Sequence, residues 1–76
     1  MTRPLKRSFS IRGHRTSISL EPPFWDALKE VAASRDLPVA RLVAEIDAAR
    51  ASSALSSAVR VYLLRYYREH GGAGHR

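Results

Sequence analysis

Residues 14–20, His-Arg-Thr-Ser-Ile-Ser-Leu, alternate in character along their length: Thr16, Ile18 and Leu20 on one side, Arg15, Ser17 and Ser19 on the other. A period of two describes a strand with one apolar and one polar face. Pro22 and Pro23 stop it, because neither can donate to a strand ladder, and proline suits the first turn of a helix. A strand over about 15–20 therefore runs directly into a helix, helix A, over about 23–34. A strand this short has to pair with something, and the rest of the chain shows no second alternation of the same quality.

The size of the chain sharpens that question. Seventy-six residues without a cysteine must be held by one small core, with no disulfide or thiolate metal site to help. A second copy of the chain is the simplest further source of buried surface.

Around the strand, residues 1–8 combine Pro4, scattered bases and little apolar content, and are predicted to be a disordered basic arm. Phe9 and Ile11 alternate with Ser10 and Arg12 as a weak extended segment. Gly13 breaks the phase between it and the strand, as a kink, bulge or turn would. In helix A, Phe24, Leu28, Val31 and Ala32 make the apolar stripe, with Trp25 beside it at one edge of the core. Asp36 is a cap candidate in the following turn, and Pro38 opens helix B over about 38–49. There Val39, Leu42, Val43 and Ile46 fall at helical spacing. Ser53 or Ser56 could cap helix C, about 55–69. Leu55, Val59, Tyr62, Leu63 and Tyr66 make its main stripe, but Val61, Leu64 and Tyr67 lie on other faces, so it needs covering on more than one side. The Gly-rich residues 71–76 read as a disordered tail, leaving 9–70 as the domain.

Charge points toward a partner. The net +6 is concentrated at the start, where Arg3, Lys6, Arg7, Arg12 and Arg15 have no acid among them. The first acid is Glu21, and the middle of the chain is slightly acidic. A basic N-terminal segment beside a balanced body suits a polyanion, nucleic acid ahead of a membrane surface.

A basic-flanked strand followed by two amphipathic helices and a tight turn resembles the Arc/MetJ-like ribbon-helix-helix family. More narrowly, "GHRTSISLEPPFWDALKEVA", "LPVARLVAEID" and "LSSAVRVYLL" resemble a bacterial subfamily with an extra C-terminal helix. The resemblance implies a mainly α fold with one short strand, paired between two chains of a homodimer, whose ribbon enters the major groove of double-stranded DNA. It implies that Arg15, Ser17 and Ser19 face base edges. The arm and its neighbours (Arg3, Lys6, Arg7, Arg12) would contact phosphates, as would Val39, Ala40 and Arg41 at the start of helix B, where free amides hold anions. Ile18, Leu20, Phe24, Leu28, Leu42, Val43 and Ile46 would form the dimer core. Serines bond to several bases, so selectivity would lean on Arg15 and DNA shape. "SSAVRVYLLRYYRE" also resembles a second helix of this family, but the interval from the strand favours 38–49.

Other chemistries fit less well. No Gly-x-Ser-x-Gly turn is present, and His70 and His75 sit in the Gly-rich tail, so no catalytic residue is expected. His14, His70 and His75 lack ligand spacing, so neither a metal nor a cofactor is expected. Tyr62, Tyr66 and Tyr67 at helical spacing read as core or interface before base-stacking groups, and Asp47 as a cap or ion-pair residue. No apolar run is long enough for a membrane span or signal core, which points to a cytoplasmic, nucleoid-associated regulator. The rival reading is an antitoxin or adaptor whose helix C holds a protein partner.

Overall fold

The computed structural model describes residues 3–71. Strands β1 (Leu5–Ile11) and β2 (His14–Leu20) precede helices α1 (Pro22–Ser34), α2 (Val39–Ala49) and α3 (Leu55–Tyr66); the last continues into a π-helical turn, Tyr67–Gly71. Of the segments expected to be disordered, residues 1–2 and 72–76 lie outside the described residues.

The expectation of a single strand is corrected. Residues 5–8, read as part of a disordered arm, belong to β1, and β1 pairs antiparallel with β2 in the same chain. One edge of β2 is thus paired within the chain, and its other edge has no strand beside it among the described residues. Arg12 and Gly13 form the two-residue loop, with φ of 53° and 80°. Positive φ at both positions marks the type I′ turn, whose twist matches that of the strands it joins. This turn also explains the phase break. Ile11 pairs with His14, so the odd residues of β1 share a face with the even residues of β2.

Trp25 explains why so polar a strand docks. Its side chain is buried, and its Nε1 donates to the Leu5 carbonyl at 2.9 Å. Phe9 stacks on the indole with ring centroids 6.0 Å apart, and the Arg7 guanidinium lies 5.2 Å from the ring centroid. Arg7 thus occupies an inward strand position by cation–π contact and so escapes the apolar alternation. Trp25 stands in the core, not at its edge, while Phe24 is only half-buried.

Helix α1 starts at Pro22, with Glu21 as N-cap, and ends in a Schellman motif. The Asp36 amide donates to the Ala33 carbonyl at 3.0 Å and the Leu37 amide to that of Ala32 at 2.8 Å. Asp36 has φ 59°, so it closes α1 and does not cap α2. The N-cap of α2 is Pro38, outside the helix proper. At the other end, Arg50 bonds the Asp47 carboxylate at 2.7 Å and the Ser53 carbonyl at 2.6 Å. Ala54 is the N-cap of α3, in place of the expected serines.

The core lies between the hairpin's inner face and the three helices. Ile11, Ile18 and Leu20 meet Trp25, Leu28 and Val31 of α1, Leu42, Val43 and Ile46 of α2, and Leu55, Val59 and Leu63 of α3. Six of the seven residues expected to form a dimer core are therefore buried by their own chain; Phe24 is the exception. Helix α3 is α-helical to Tyr66 and continues as the π-helical turn past residue 69, and on its outer side Val61 and Leu64 remain 48% and 58% exposed.

Candidate nucleic-acid interface

Paired residues in an antiparallel ladder send their side chains to the same face. The register Lys6↔Ser19, Ser8↔Ser17 and Ser10↔Arg15 therefore assembles an outer face of six polar side chains, two of them basic. All are exposed except Ser19, which is half-buried. The Ser8 and Ser17 hydroxyls approach to 3.4 Å at its centre. Arg12, in the turn, adds a third base at one end, and no acid occurs before Glu21.

The base-contact candidates Arg15, Ser17 and Ser19 lie together on this face. The phosphate candidates are dispersed. Lys6 is on the outer face, Arg12 is exposed in the turn, and Arg3 is exposed just before β1. Arg7 is on the opposite face, over Trp25. Val39, Ala40 and Arg41 form the first turn of α2, where Arg41 is exposed and its amide donates to the Pro38 carbonyl at 3.0 Å. The amides of Val39 and Ala40 occupy the open helix end.

Sequence reasoning missed Ser8 and Ser10, and it placed Lys6 in a disordered arm. Only the hairpin register puts these residues beside Arg15, Ser17 and Ser19. The available signal was Gly13 between two short alternations of opposite phase.

Helix α3 fixes the far end of β2. The Ser19 amide donates to Ser56 Oγ at 3.2 Å, and Arg60 donates to the Ser19 carbonyl at 3.3 Å. Arg60 also bonds Glu21 Oε1 at 3.0 Å and lies over the Phe24 ring. Hydrogen bonding from its own backbone amide, and then from Arg60, holds the Glu21 carboxyl below the usual carboxylate range. Both strands of the ribbon are thus anchored toward its open end, β1 by Trp25 and β2 by Arg60.

The three tyrosines are committed to structure. Tyr67 donates to Glu30 at 2.8 Å, Tyr62 accepts from Arg35 at 3.1 Å, and Tyr66 shares a hydrogen bond with Ser34 at 2.9 Å. Burial, with the Glu30 contact next, pushes the Tyr67 hydroxyl up to about 12. Among the described residues no group of His, Cys, Asp or Glu is placed to hold a metal ion, and no helix is long and apolar enough to cross a membrane.

No curated protein and no solved structure matches the chain. A family model does: that of the ribbon-helix-helix domain, over residues 4–67, which spans both strands and all three helices. The chain belongs to the ribbon-helix-helix family, whose members in general bind DNA and dimerise.

Proposed function

We propose that this protein is a sequence-selective DNA-binding regulator of transcription, bacterial and nucleoid-associated in the cytoplasm, that acts as a homodimer with its ribbon in the major groove. The observation that carries the reading is the outer face of the hairpin: polar throughout, basic, free of acids and set on a rigid two-stranded ribbon. B-form DNA admits a two-stranded ribbon in its major groove, where each base pair presents a distinct pattern of donors and acceptors. Arg15 supplies a bidentate donor for guanine, and Ser17 and Ser19 supply hydroxyls that give or accept a hydrogen bond. Arg3, Lys6, Arg12 and the first turn of α2 with Arg41 hold flanking phosphates. Arg7, stacked on Trp25, contributes to the field from behind the ribbon.

The dimer contact runs through α3. The chain pairs its own two strands and buries its own core, and Val61 and Leu64 are the large apolar side chains of α3 left in water.

The test is binding to duplex DNA across a salt series. If about six to ten phosphates are held per dimer, affinity drops roughly 10³–10⁵-fold between 50 and 200 mM salt. A flat response, or no binding to any duplex, removes the reading. The exposed ridge of α3 also favours a second reading, an antitoxin or adaptor that holds a different protein there. Under that reading the purified chain remains monomeric, and Val61 and Leu64 become protected only when the partner is present.

A further inference from the structure

We infer that the groove between the end of α2 and the outer side of α3 is a docking site for an acidic amphipathic segment of another protein. The site contains no residue of the ribbon, so the inference is independent of the DNA-binding reading.

The groove encloses about 470 Å³ and runs from Ile46, Ala49 and Arg50, across the connecting loop, to Ser57, Val61 and Arg65. Small side chains along it, Ala49, Ala51, Ser53 and Ala58, leave the space that larger ones would fill. Most of this lining is exposed, so the groove is an open channel and not an enclosed cavity. A small ligand in its pocket is normally roughly 70–90% buried, which an open channel does not provide. A chain segment fits better, because its apolar side chains enter the groove while its backbone continues over the rim. From Ser57 to Arg65 the helix rises about 12 Å, enough to lie along a little over two turns of an occupying helix.

Charge names the occupant. No acid lies between Asp47 and Glu69, whereas Arg50, Arg60, Arg65 and Arg68 fall in that interval. Glu21 offsets Arg60, and Glu45 is taken by Arg35. Arg65, exposed on the rim, makes no ion pair among the described residues. Arg50 is fixed in place, since its Nε donates to the Asp47 carboxylate and its Nη1 to the Ser53 carbonyl. The guanidinium keeps further N–H groups for another acceptor. Carboxylates on the occupant therefore meet one arginine already oriented and one without a partner, while apolar side chains cover Ala49, Ala58 and Val61.

Two other occupants fit less well. A second copy on the same groove would meet it with the same basic rim, and like charges across an interface cost affinity. The groove on the α1 side of α3 has Arg60 as its one base, offset by Glu21, and suits a second copy better. A DNA backbone would satisfy the arginines but leave Ala49, Ala58 and Val61 uncovered.

The test is selection of phage-displayed random peptides of about 15 residues, long enough for a helix that spans the groove, on the full wild-type chain. The enriched peptides are expected to combine apolar residues with Asp or Glu. Arg65→Glu should lower their affinity roughly 10-fold or more, and replacing the peptide acids by Lys should reverse the preference between the two chains. Ala49→Trp, which fills the groove from an exposed position, should abolish binding. Each variant is checked by thermal melting; should Arg65→Glu melt early, Arg65→Gln is expected to give a smaller loss in the same direction. If no acidic peptide is enriched, or if the peptides bind both groove variants as they bind the wild-type chain, the inference is overturned. It is overturned equally if Ala49→Trp shifts sedimentation toward a monomer, which assigns the groove to a second copy. A fall in affinity of Ala49→Trp for duplex DNA would assign the groove to DNA and overturn it too.

Discussion

Trp25 decides whether this chain has one strand or two. Only Phe9 and Ile11 of β1's four inward positions are largely covered; Leu5 is 46% exposed and Arg7 is charged. A strand with so little to bury is held by particular contacts, and three of them meet at one indole: the Leu5 carbonyl, the Phe9 ring and the Arg7 guanidinium. Trp25→Phe keeps an aromatic ring but removes the donor and some volume. It is expected to cost about 1–2 kcal/mol, the sum of a lost hydrogen bond to a part-buried carbonyl and a small packing defect. The loss should be visible in urea unfolding, and the amides of β1 should exchange faster while those of α2 barely change. Uniform loss of protection would mean that the hairpin unfolds only with the whole domain.

Of the three described residues with positive φ, Gly13 and Asp36 sit at joints between elements and are expected to respond to substitution in opposite directions. At Gly13, with φ 80°, no neighbouring atom would meet an added Cβ. Gly13→Ala therefore costs only backbone strain, about 1–2 kcal/mol for a left-handed alanine. At Asp36, with φ 59°, the strain is already present in the Schellman turn. Asp36→Gly relieves it and is expected to raise stability by up to about 1 kcal/mol. Thermal melts of the two variants should move apart; a loss at Asp36 would show that its carboxylate does something beyond closing α1.

The same two positions show what could be read in the sequence. Helix periods and the placement of prolines located α1 and α2 to within a residue or so, because an apolar stripe records burial directly. The turn at Asp36 was legible as a turn but not as the C-terminal cap of α1, since Asp serves either end of a helix. Strand β1 was hidden because its inner face includes an arginine satisfied by an indole 18 residues later. The two-residue turn that reverses its phase requires knowledge of the register. The face of Arg15, Ser17 and Ser19 followed from alternation alone, whereas Lys6, Ser8 and Ser10 join it only through that register.

At the scale of the whole molecule, the chain buries a core within itself, so a substitution on the outer side of α3 can act on association without touching that core. Leu64 is the natural probe, because it is the most exposed large apolar side chain among the described residues and adjoins Phe24 and Tyr67 in a groove between α1 and α3. Burying a leucine completely is worth about 1.5–3 kcal/mol, and rather more than half of this one remains to be buried. Leu64→Ala should therefore weaken the dimer by about 1–2 kcal/mol, or roughly 5- to 30-fold in Kd, with little change in the melting temperature of the dilute monomer. Sedimentation across a concentration series measures the first quantity and a thermal melt the second. DNA binding supplies a third readout. A dimer linked through α3 presents two hairpins at once, so Leu64→Ala should lower affinity for a two-site duplex while base preference at each site stays the same. If the dimer is unaffected by Leu64→Ala and Val61→Ala but lost when the ribbon is altered, the two chains meet at the strands instead.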